Sequence, residues 1–446
     1  MSTGRPGPQG PAGAAQLAAE LNDELDRKLA SADALWLARY PGDPSSRQPV
    51  HTVYVPADRF SAGTPQEWGA QAQDLLQTYA PDPDRLAGLT GLSVAAVGEV
   101  YDRVRAKLER EPIEDLRVDF EDGFGHRGDA VEDEGVATAL DALATLAEQH
   151  RRPPFFGIRF KSFEAPTRHR GVRTLTGFVA GSVADGALPD GFVVTLPKVT
   201  SVDQVQAMVH VCEQLETQFG LDFGALRFEI QIETAQAILA ADGTATVAAM
   251  VHAAQGRCFG LHYGTFDYSA GLGITAAYQS LEHPAADHAK AVMQVAAAQT
   301  GARLSDGSTN VVAFADADQV RDTWTLHTRL VTRSLQRGYY QGWDMHPGHL
   351  PTRYLATYAF FRAAMGPAAA RLKRYVDTLS GGSDTGGVLD EPATARALAT
   401  ALLRGLRCGA VDADEVLAAS DLDEAALVAL TDSSPSRPTP PEGNHP

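Results

Sequence analysis

The sequence predicts an α/β protein built as a (β/α)8 TIM barrel with helical additions at its N- and C-terminal ends. Three observations carry this reading. Eight short β-rich runs alternate with longer Ala/Leu-rich stretches, and alternating β and α elements imply a parallel sheet covered by helices. Eight repeats match a closed barrel better than an open sheet, and in nearly every run the charged residues follow the apolar stretch, at the end where barrels place their chemistry. The length, 446 residues, would by itself allow two or three domains of ~100–200 residues; the eightfold rhythm resolves it into one barrel with additions.

Taken in order, residues 1–13 are rich in Gly and Pro and are expected to be disordered, because they cannot bury enough surface to offset the entropy of ordering. A helical segment is expected over 14–50: Leu17, Leu21, Leu25 and Leu29 recur at four-residue spacing, which predicts an amphipathic helix packed on the outside of something larger. The barrel is expected over 51–351. Its strands are read at 51–60, 115–124, 155–163, 191–199, 226–235, 257–268, 302–309 and 341–350, the last two weak in composition. Between the first two strands, 61–114 is long and helical in character. Residues 352–430 form a helical extension that contains TRYLATYAFFRAAMG and EPATARALATALLRGL, and 431–446 read as a disordered Pro-rich tail.

Composition narrows the partners. Lys+Arg 38 against Asp+Glu 56 gives −18, and a surface of that sign opposes nucleic acid and anionic bilayers. Cys212, Cys258 and Cys408 are too few and too far apart for a disulfide framework or a CxxC metal motif. No run approaches the ~18–20 apolar residues of a membrane helix, and the N-terminus lacks a signal-peptide core. A cytoplasmic protein with a small-molecule substrate is therefore expected.

The chemistry is expected at the strand ends. Glu233 ends FEIQIE and Asp267 follows the next strand in a Gly- and aromatic-rich loop. Two carboxylates at adjacent strand ends suit a hard ion such as Mg²⁺, although a lone strand-end acid is more often a helix cap or surface charge. Arg159 and Lys161, two apart, can face the same side of the sheet; a guanidinium in a barrel mouth needs carboxylates or an anionic ligand, so Arg159 reads either as an oxyacid binder or as a partner of Asp119 or Glu121. Lys198 reads as a second cation near the rim or as a structural residue. In Asp119-Phe120-Glu121-Asp122 alternation places Asp119 and Glu121 on one face and Asp122 on the other, and these charges repel unless a metal, Arg159 or Lys198 neutralises them. His126, His262, His283 and His346 lie near the expected mouth and are general-base candidates. No GxSxG, HExxH or CxxC occurs, which removes the usual support for serine hydrolase, zincin and thiol-redox readings.

The ordered motifs YVPADR (54–59), DFEDG (119–123), GIRF (157–160), LPKV (196–199), IETA (232–235), GxxDYxxGLG (264–273) and MHP (345–347) resemble the citrate lyase beta-subunit-like branch of the HpcH/HpaI aldolase family, over roughly 51–351. The resemblance implies a phosphoenolpyruvate/pyruvate-binding barrel that is Mg²⁺-dependent, with Mn²⁺ as the alternative ion, and a carbon–carbon lyase (aldolase) acting next to a 2-oxo or hydroxy acid through a metal-stabilised enolate. By similarity, Glu233 and Asp267 hold the metal, Arg159 binds the substrate oxygen, Asp119, Glu121 and Asp122 support the metal's water shell and Arg159, and Lys198 touches substrate or stands behind it. The base is either metal-bound water activated by Glu121 or Asp122, or a histidine, His126 first. Coenzyme A users of the family carry a Gly-Lys pair where this chain has Gly342-Trp343, which puts coenzyme A in doubt. The alternatives are an acyl-CoA lyase or thioesterase of the citrate lyase beta/malyl-CoA lyase type, and a non-catalytic oxyacid-binding or assembly subunit. The C-terminal segment of the family often reaches over a neighbouring subunit, so a homo-oligomer is expected.

Overall fold

The computed structural model describes residues 10–379 and 391–431; the tails expected to be disordered lie largely outside them. Eight parallel strands, β1 (His51–Pro56), β2 (Asp115–Asp119), β3 (Phe155–Arg159), β4 (Val194–Leu196), β5 (Phe228–Ile232), β6 (Cys258–Tyr263), β7 (Arg303–Ser305) and β8 (Gly342–Asp344), follow one another in sequence order, and β8 pairs with β1. Each falls inside a run read from the sequence. Between β7 and β8 the seam is thin: Ser305 bridges Gln341, Asp306 N donates to Gln341 O (2.8 Å), and Trp343 N donates to Gly307 O (3.3 Å). The result is the (β/α)8 barrel expected.

Side-chain alternation explains the strand sequences. Val53, Val55, Leu116, Val118, Ile158, Leu196, Ile230 and Leu261 are buried and form one core with the outer helices. The opposite parity carries polar groups, and these fill the barrel interior. Arg117, fully buried, pairs with Asp115 and Glu229 and donates to Thr195 Oγ1 (3.2 Å); Thr52 Oγ1 donates to Asp115 Oδ2 (2.7 Å). His262 sits between Tyr54 and Glu229, 3.2 Å from each. Burial tends to raise the Glu229 carboxyl, but Arg117 and His262 outweigh it and hold it at about 2. At Gly157 an added Cβ would lie 1.7 Å from the Val193 carbonyl oxygen, so only glycine lets β3 and β4 approach here.

The segment after β1 folds into three helices, Thr64–Tyr79, Pro83–Thr90 and Val94–Arg110. Asp82 and Ser93 cap the second and third by accepting from Arg85 N and Ala96 N. Together with the helices Ala317–Gln336 and Leu350–Leu379 they bury Leu76, Leu86, Val97, Val104, Trp324 and Tyr354 in a second core beside β1 and β8. The helices Pro392–Cys408, Ala413–Ser420 and Glu424–Thr431 add a third core against the end of Leu350–Leu379.

One expectation fails. The N-terminal helix forms, over Gly10–Arg39, but it does not pack on the barrel: every residue from Ala14 to Arg39 is exposed, Leu17, Leu21, Leu25 and Leu29 by 48–53%. Four-residue spacing drifts by ~40° per step around a helix of 3.6 residues per turn, so these leucines wind rather than form a straight seam. The chain engages the barrel's helices from Tyr40, whose ring lies 5.3 Å from that of His252.

Glu114, fully buried just before β2, anchors the N-terminal end of the barrel by pairing with Lys107 (2.6 Å) and Arg47 (2.8 Å) and accepting from Val50 N (2.9 Å). Burial tends to raise its carboxyl, but Lys107 and Arg47 outweigh it and hold it at about 2 against an ordinary 4.5. A depressed folded-state value contributes stability that is present above the ordinary value and is lost as pH falls from there towards 2. Glu114→Gln is expected to flatten the loss of stability below pH ~4.5 and to cost about 3 kcal/mol at neutral pH. Urea titrations at several pH values check this, and an unchanged acid slope would refute it.

Candidate active site

The chain ends of β2, β3, β4, β5 and β6 converge on one cluster at the C-terminal mouth of the barrel. β2 ends at Asp119 and β3 at Arg159, which are register partners. Arg159 Nε and Nη2 donate to the two carboxylate oxygens of Asp119 (2.8 and 2.7 Å), a forked ion pair of the strong kind. Asp119 also accepts from Glu121 N (3.0 Å) and Gly123 N (2.9 Å), so the DFEDG turn closes around its carboxylate. The third guanidinium nitrogen, Nη1, has only long neighbours, Gln231 Oε1 at 3.4 Å and Glu121 Oε2 at 3.6 Å. Tyr54 and Trp343 lie against the guanidinium, with ring centroids 4.8 and 5.6 Å from its central carbon.

Lys198 gathers the acids. Its Nζ lies 2.7 Å from Asp267, 3.0 Å from Asp122 and 3.3 Å from Glu121. Its backbone is left-handed, φ +50°, a conformation disfavoured for a non-glycine residue, and its N–H donates to Glu233 Oε1 (2.7 Å). Glu233 continues the inward parity of β5 beyond Glu229 and Gln231. Gly264 passes so close that an added Cβ would lie 2.4 Å from the Glu233 Cβ, and this glycine lets the end of β6 cover the buried carboxylate. Asp267 stands in the first turn of the helix Thr265–Gly271 and is exposed.

One ammonium does not balance these acids. Burial pushes the Glu233 carboxyl up to about 8, Glu121 and Asp267 adding to it against Lys198 and Arg159. Burial likewise pushes Glu121 up to about 7, with Asp122 adding to it against Arg159 and Lys198. For Asp122 burial also acts upward, but the Glu121 contact, Arg159 and Lys198 win and lower it. Lys198 is raised, the surrounding carboxylates outweighing its burial. Oxygen donors, Glu121 and Glu233 buried and Asp122 and Asp267 exposed, in excess of the cations beside them are of the type that suits a hard divalent ion.

Seven sequence-predicted residues thus meet: Asp119, Glu121, Asp122, Arg159, Lys198, Glu233 and Asp267. Asp122 joins because the strand stops at Asp119 and the turn abolishes the alternation that would have sent it to the other face. Lys161 does not join, since β3 ends at Arg159; it pairs with Glu132 (2.6 Å) under the helix Asp129–Glu148. His126 is exposed on the loop and makes no hydrogen bond or ion pair among the described residues. The other histidines have structural partners: His262 is inside the barrel, and His283 and His346 cap the starts of helices through Ala285 N and Gly348 N. Gln231 and Tyr54 were not singled out from the sequence, though inward parity on β5 and β1 marks both.

Among the described residues, the group of three whose ligand atoms lie close enough together to hold one ion is not at the mouth: it is His327, Asp344 and His349, buried behind β8. Asp344 already carries Arg353 (2.9 Å), His51 (2.8 Å) and His327 (3.1 Å), so the guanidinium supplies the positive charge there.

A family model described as a domain of unknown function (DUF6986) matches residues 29–434. The chain belongs to this family. No curated protein matches the chain. Among solved structures, a citrate lyase from Burkholderia xenovorans is 17% identical with a TM-score of 0.53, over 83% of this chain and 96% of that one. The protein CitE from Mycobacterium tuberculosis, in complex with magnesium, acetoacetate and coenzyme A, is 16% identical (TM-score 0.46; 82% and 100% covered). Haloferax volcanii malate synthase is 15% identical (TM-score 0.44; 80% and 99%). The DUF6986 chain therefore shares the barrel fold of the Burkholderia citrate lyase. No helix among its described residues is long and apolar enough to cross a membrane.

Asp119→Asn leaves the Arg159 guanidinium buried with half its partner, and removing one member of a buried pair costs ~3–5 kcal/mol. That loss is the expected result in urea unfolding. A change below ~1 kcal/mol, the level of an exposed pair, would show that Asp119 does not anchor the mouth.

Proposed function

We propose that this DUF6986 protein is a Mg²⁺-dependent carbon–carbon lyase of the aldolase type, acting on a small 2-oxo acid. The observation that carries the reading is the charge imbalance at the mouth. Glu121, Asp122 and Asp267 surround one ammonium and Glu233 accepts from the same lysine's backbone N–H, two of the four acids having carboxyls raised towards neutrality, beside a guanidinium whose Nη1 has only long contacts, to Gln231 and Glu121. An oxygen-only donor set of this kind fits Mg²⁺ better than a transition metal, with Glu233 and Asp267 as its holders. When bound, the ion supplies positive charge next to the oxygen that becomes negative as the carbon–carbon bond breaks.

The chain's own residues supply the rest. Arg159 is held rigid by Asp119, so its Nη1 offers a fixed donor to a substrate oxo or carboxylate oxygen at no reorganisation cost. Tyr54 and Trp343 cover the guanidinium and keep water from it. Glu121, with a carboxyl near 7, is suited to accept and return a proton at neutral pH, a role for which it is better placed than the exposed His126. Lys198 keeps the acids together and contributes a second cation towards an anionic substrate.

The test is exchange of the methyl protons of pyruvate with deuterated solvent, followed by NMR, together with Mg²⁺ binding by calorimetry. Exchange is expected only with Mg²⁺ or Mn²⁺. Glu233→Gln and Asp267→Asn should each weaken Mg²⁺ binding at least tenfold and abolish exchange. Arg159→Lys should keep the metal but lose exchange by ~10²-fold or more, since an ammonium cannot reproduce the fork. Metal-independent exchange, or full exchange in either carboxylate variant, would refute the assignment.

A further inference from the structure

At the end of the barrel opposite the carboxylate cluster lies a cavity of about 410 Å³. Its walls come from residues 43–50 before β1, from the start of β7, and from the helix Pro392–Cys408. Guanidiniums gather here without the acids that neutralise them elsewhere. Arg117, Arg159, Arg257 and Arg353 are all buried, and each pairs with a carboxylate. Arg303 is equally buried, 8% exposed, yet its Nη2 donates to the Ser46 hydroxyl (2.7 Å) and its Nη1 has no partner. Arg404 Nη1 donates to the neutral Gln48 Oε1 (2.7 Å), and its Nε is buried without a partner, as is that of Arg396. Among the described residues, none of these three forms an ion pair with a carboxylate, and Asp43 is the one acid on the described wall.

Aromatic faces hold the guanidiniums in place of carboxylates. The Arg404 guanidinium lies 4.2 Å from the Tyr340 ring centroid, and that of Arg303 lies 4.5 Å from Phe259 and 5.6 Å from Phe155. Burial pushes Arg303 down to about 10, with Arg227 and Arg404 adding to it; burial lowers Arg404 as well. A desolvated surplus of positive charge is unfavourable unless something anionic completes it. Arg396, Thr400 and Arg404 recur at four-residue spacing, so one helix face presents two guanidiniums and a hydroxyl to the cavity. The remaining wall is apolar, with Leu304, Phe361 and Leu403, and the volume is that of a small organic ligand rather than a bare ion.

We propose that this cavity is a binding site for a small organic phosphomonoester, its phosphate held by Arg303, Arg396 and Arg404 and its organic body lying against Leu304, Phe361 and Leu403. A phosphomonoester carries close to two negative charges at neutral pH and matches the planar donors of several guanidiniums. The site is separate from the barrel mouth and does not depend on the reaction proposed there.

The test is calorimetry and thermal unfolding of the full chain with AMP and phenyl phosphate as probes, and with adenosine and succinate as comparisons. Both phosphates are expected to bind and to raise Tm, at least tenfold more tightly than adenosine or succinate. Arg303→Gln and Arg404→Gln should each weaken them at least tenfold, whereas Arg159→Gln at the mouth should not. Unliganded Arg404→Gln loses the Gln48 hydrogen bond and the Tyr340 contact but no ion pair, so the readout is the rise in Tm that AMP produces, which the variant should lose and a purely structural arginine would keep. Equal binding of adenosine, tighter binding of succinate, or loss through Arg159→Gln with retention in Arg404→Gln would each overturn the proposal. Arg404 stands on the helix Pro392–Cys408 outside the barrel ring, so its variant serves as the test even where Arg303→Gln fails to fold.

Discussion

The barrel depends on burying two guanidiniums inside a ring of parallel strands. Arg117 and Arg159 stand on adjacent strands, one deep in the interior and one at the mouth, and neither reaches bulk water. An unpaired charge in that position would cost several kcal/mol. Each must therefore bring acids with it: Asp115 and Glu229 for Arg117, Asp119 for Arg159. All of these occupy the inward parity of β2, β3 and β5, while the outward parity stays aliphatic. The interior thus exchanges the usual branched aliphatic layers of such barrels for ion pairs, whose directional geometry fixes the rotamers that line the mouth.

Charge is distributed along the barrel axis in a way the net value of −18 conceals. At the C-terminal mouth carboxylates outnumber the cations near them, and two of the acids rise towards neutrality. At the N-terminal end the reverse holds: Arg227, Arg303 and Arg404 lack carboxylate partners among the described residues, and burial lowers all three. The middle, around Arg117, is balanced. A stability-driven arrangement would let the two excesses cancel; here they stand at opposite ends, and the proposed cation and the proposed phosphomonoester would each complete one of them.

The strands were legible because their two parities differ in kind, apolar outwards and charged inwards, and the polar strand ends marked the mouth. Where reasoning by alternation failed, the strand had already ended. Lys161 lies two residues beyond Arg159 but outside β3, so it turns away to Glu132, and Asp122 enters the cluster through a turn rather than a pleat. A loop position does not tell whether a histidine ring caps a helix, as those of His283 and His346 do. The N-terminal Gly10–Arg39 helix was correct as local structure and wrong as packing, since spacing reports a stripe and not a partner. The basic cavity has no signature in the sequence: Arg303 comes from a strand start and Arg404 from a helix, 101 residues later, and no spacing joins them.

The helical additions make sense at the weakest part of the ring. β7 and β8 are three residues long and meet through little more than Ser305 and Gln341, so this seam has the fewest ladder hydrogen bonds to resist opening. Behind it Asp344, the last residue of β8, is gripped by His51 of β1, His327 of the helix Ala317–Gln336 and Arg353 of the helix Leu350–Leu379. One carboxylate therefore ties two strands to two helices, and it is held far below its ordinary value because the cation and the two rings outweigh its burial. The insertion after β1 packs on the same two helices. The extra core clamps the strand that carries Trp343 against the strand that carries Tyr54, and so fixes the two aromatic walls of the Arg159 site from outside the barrel.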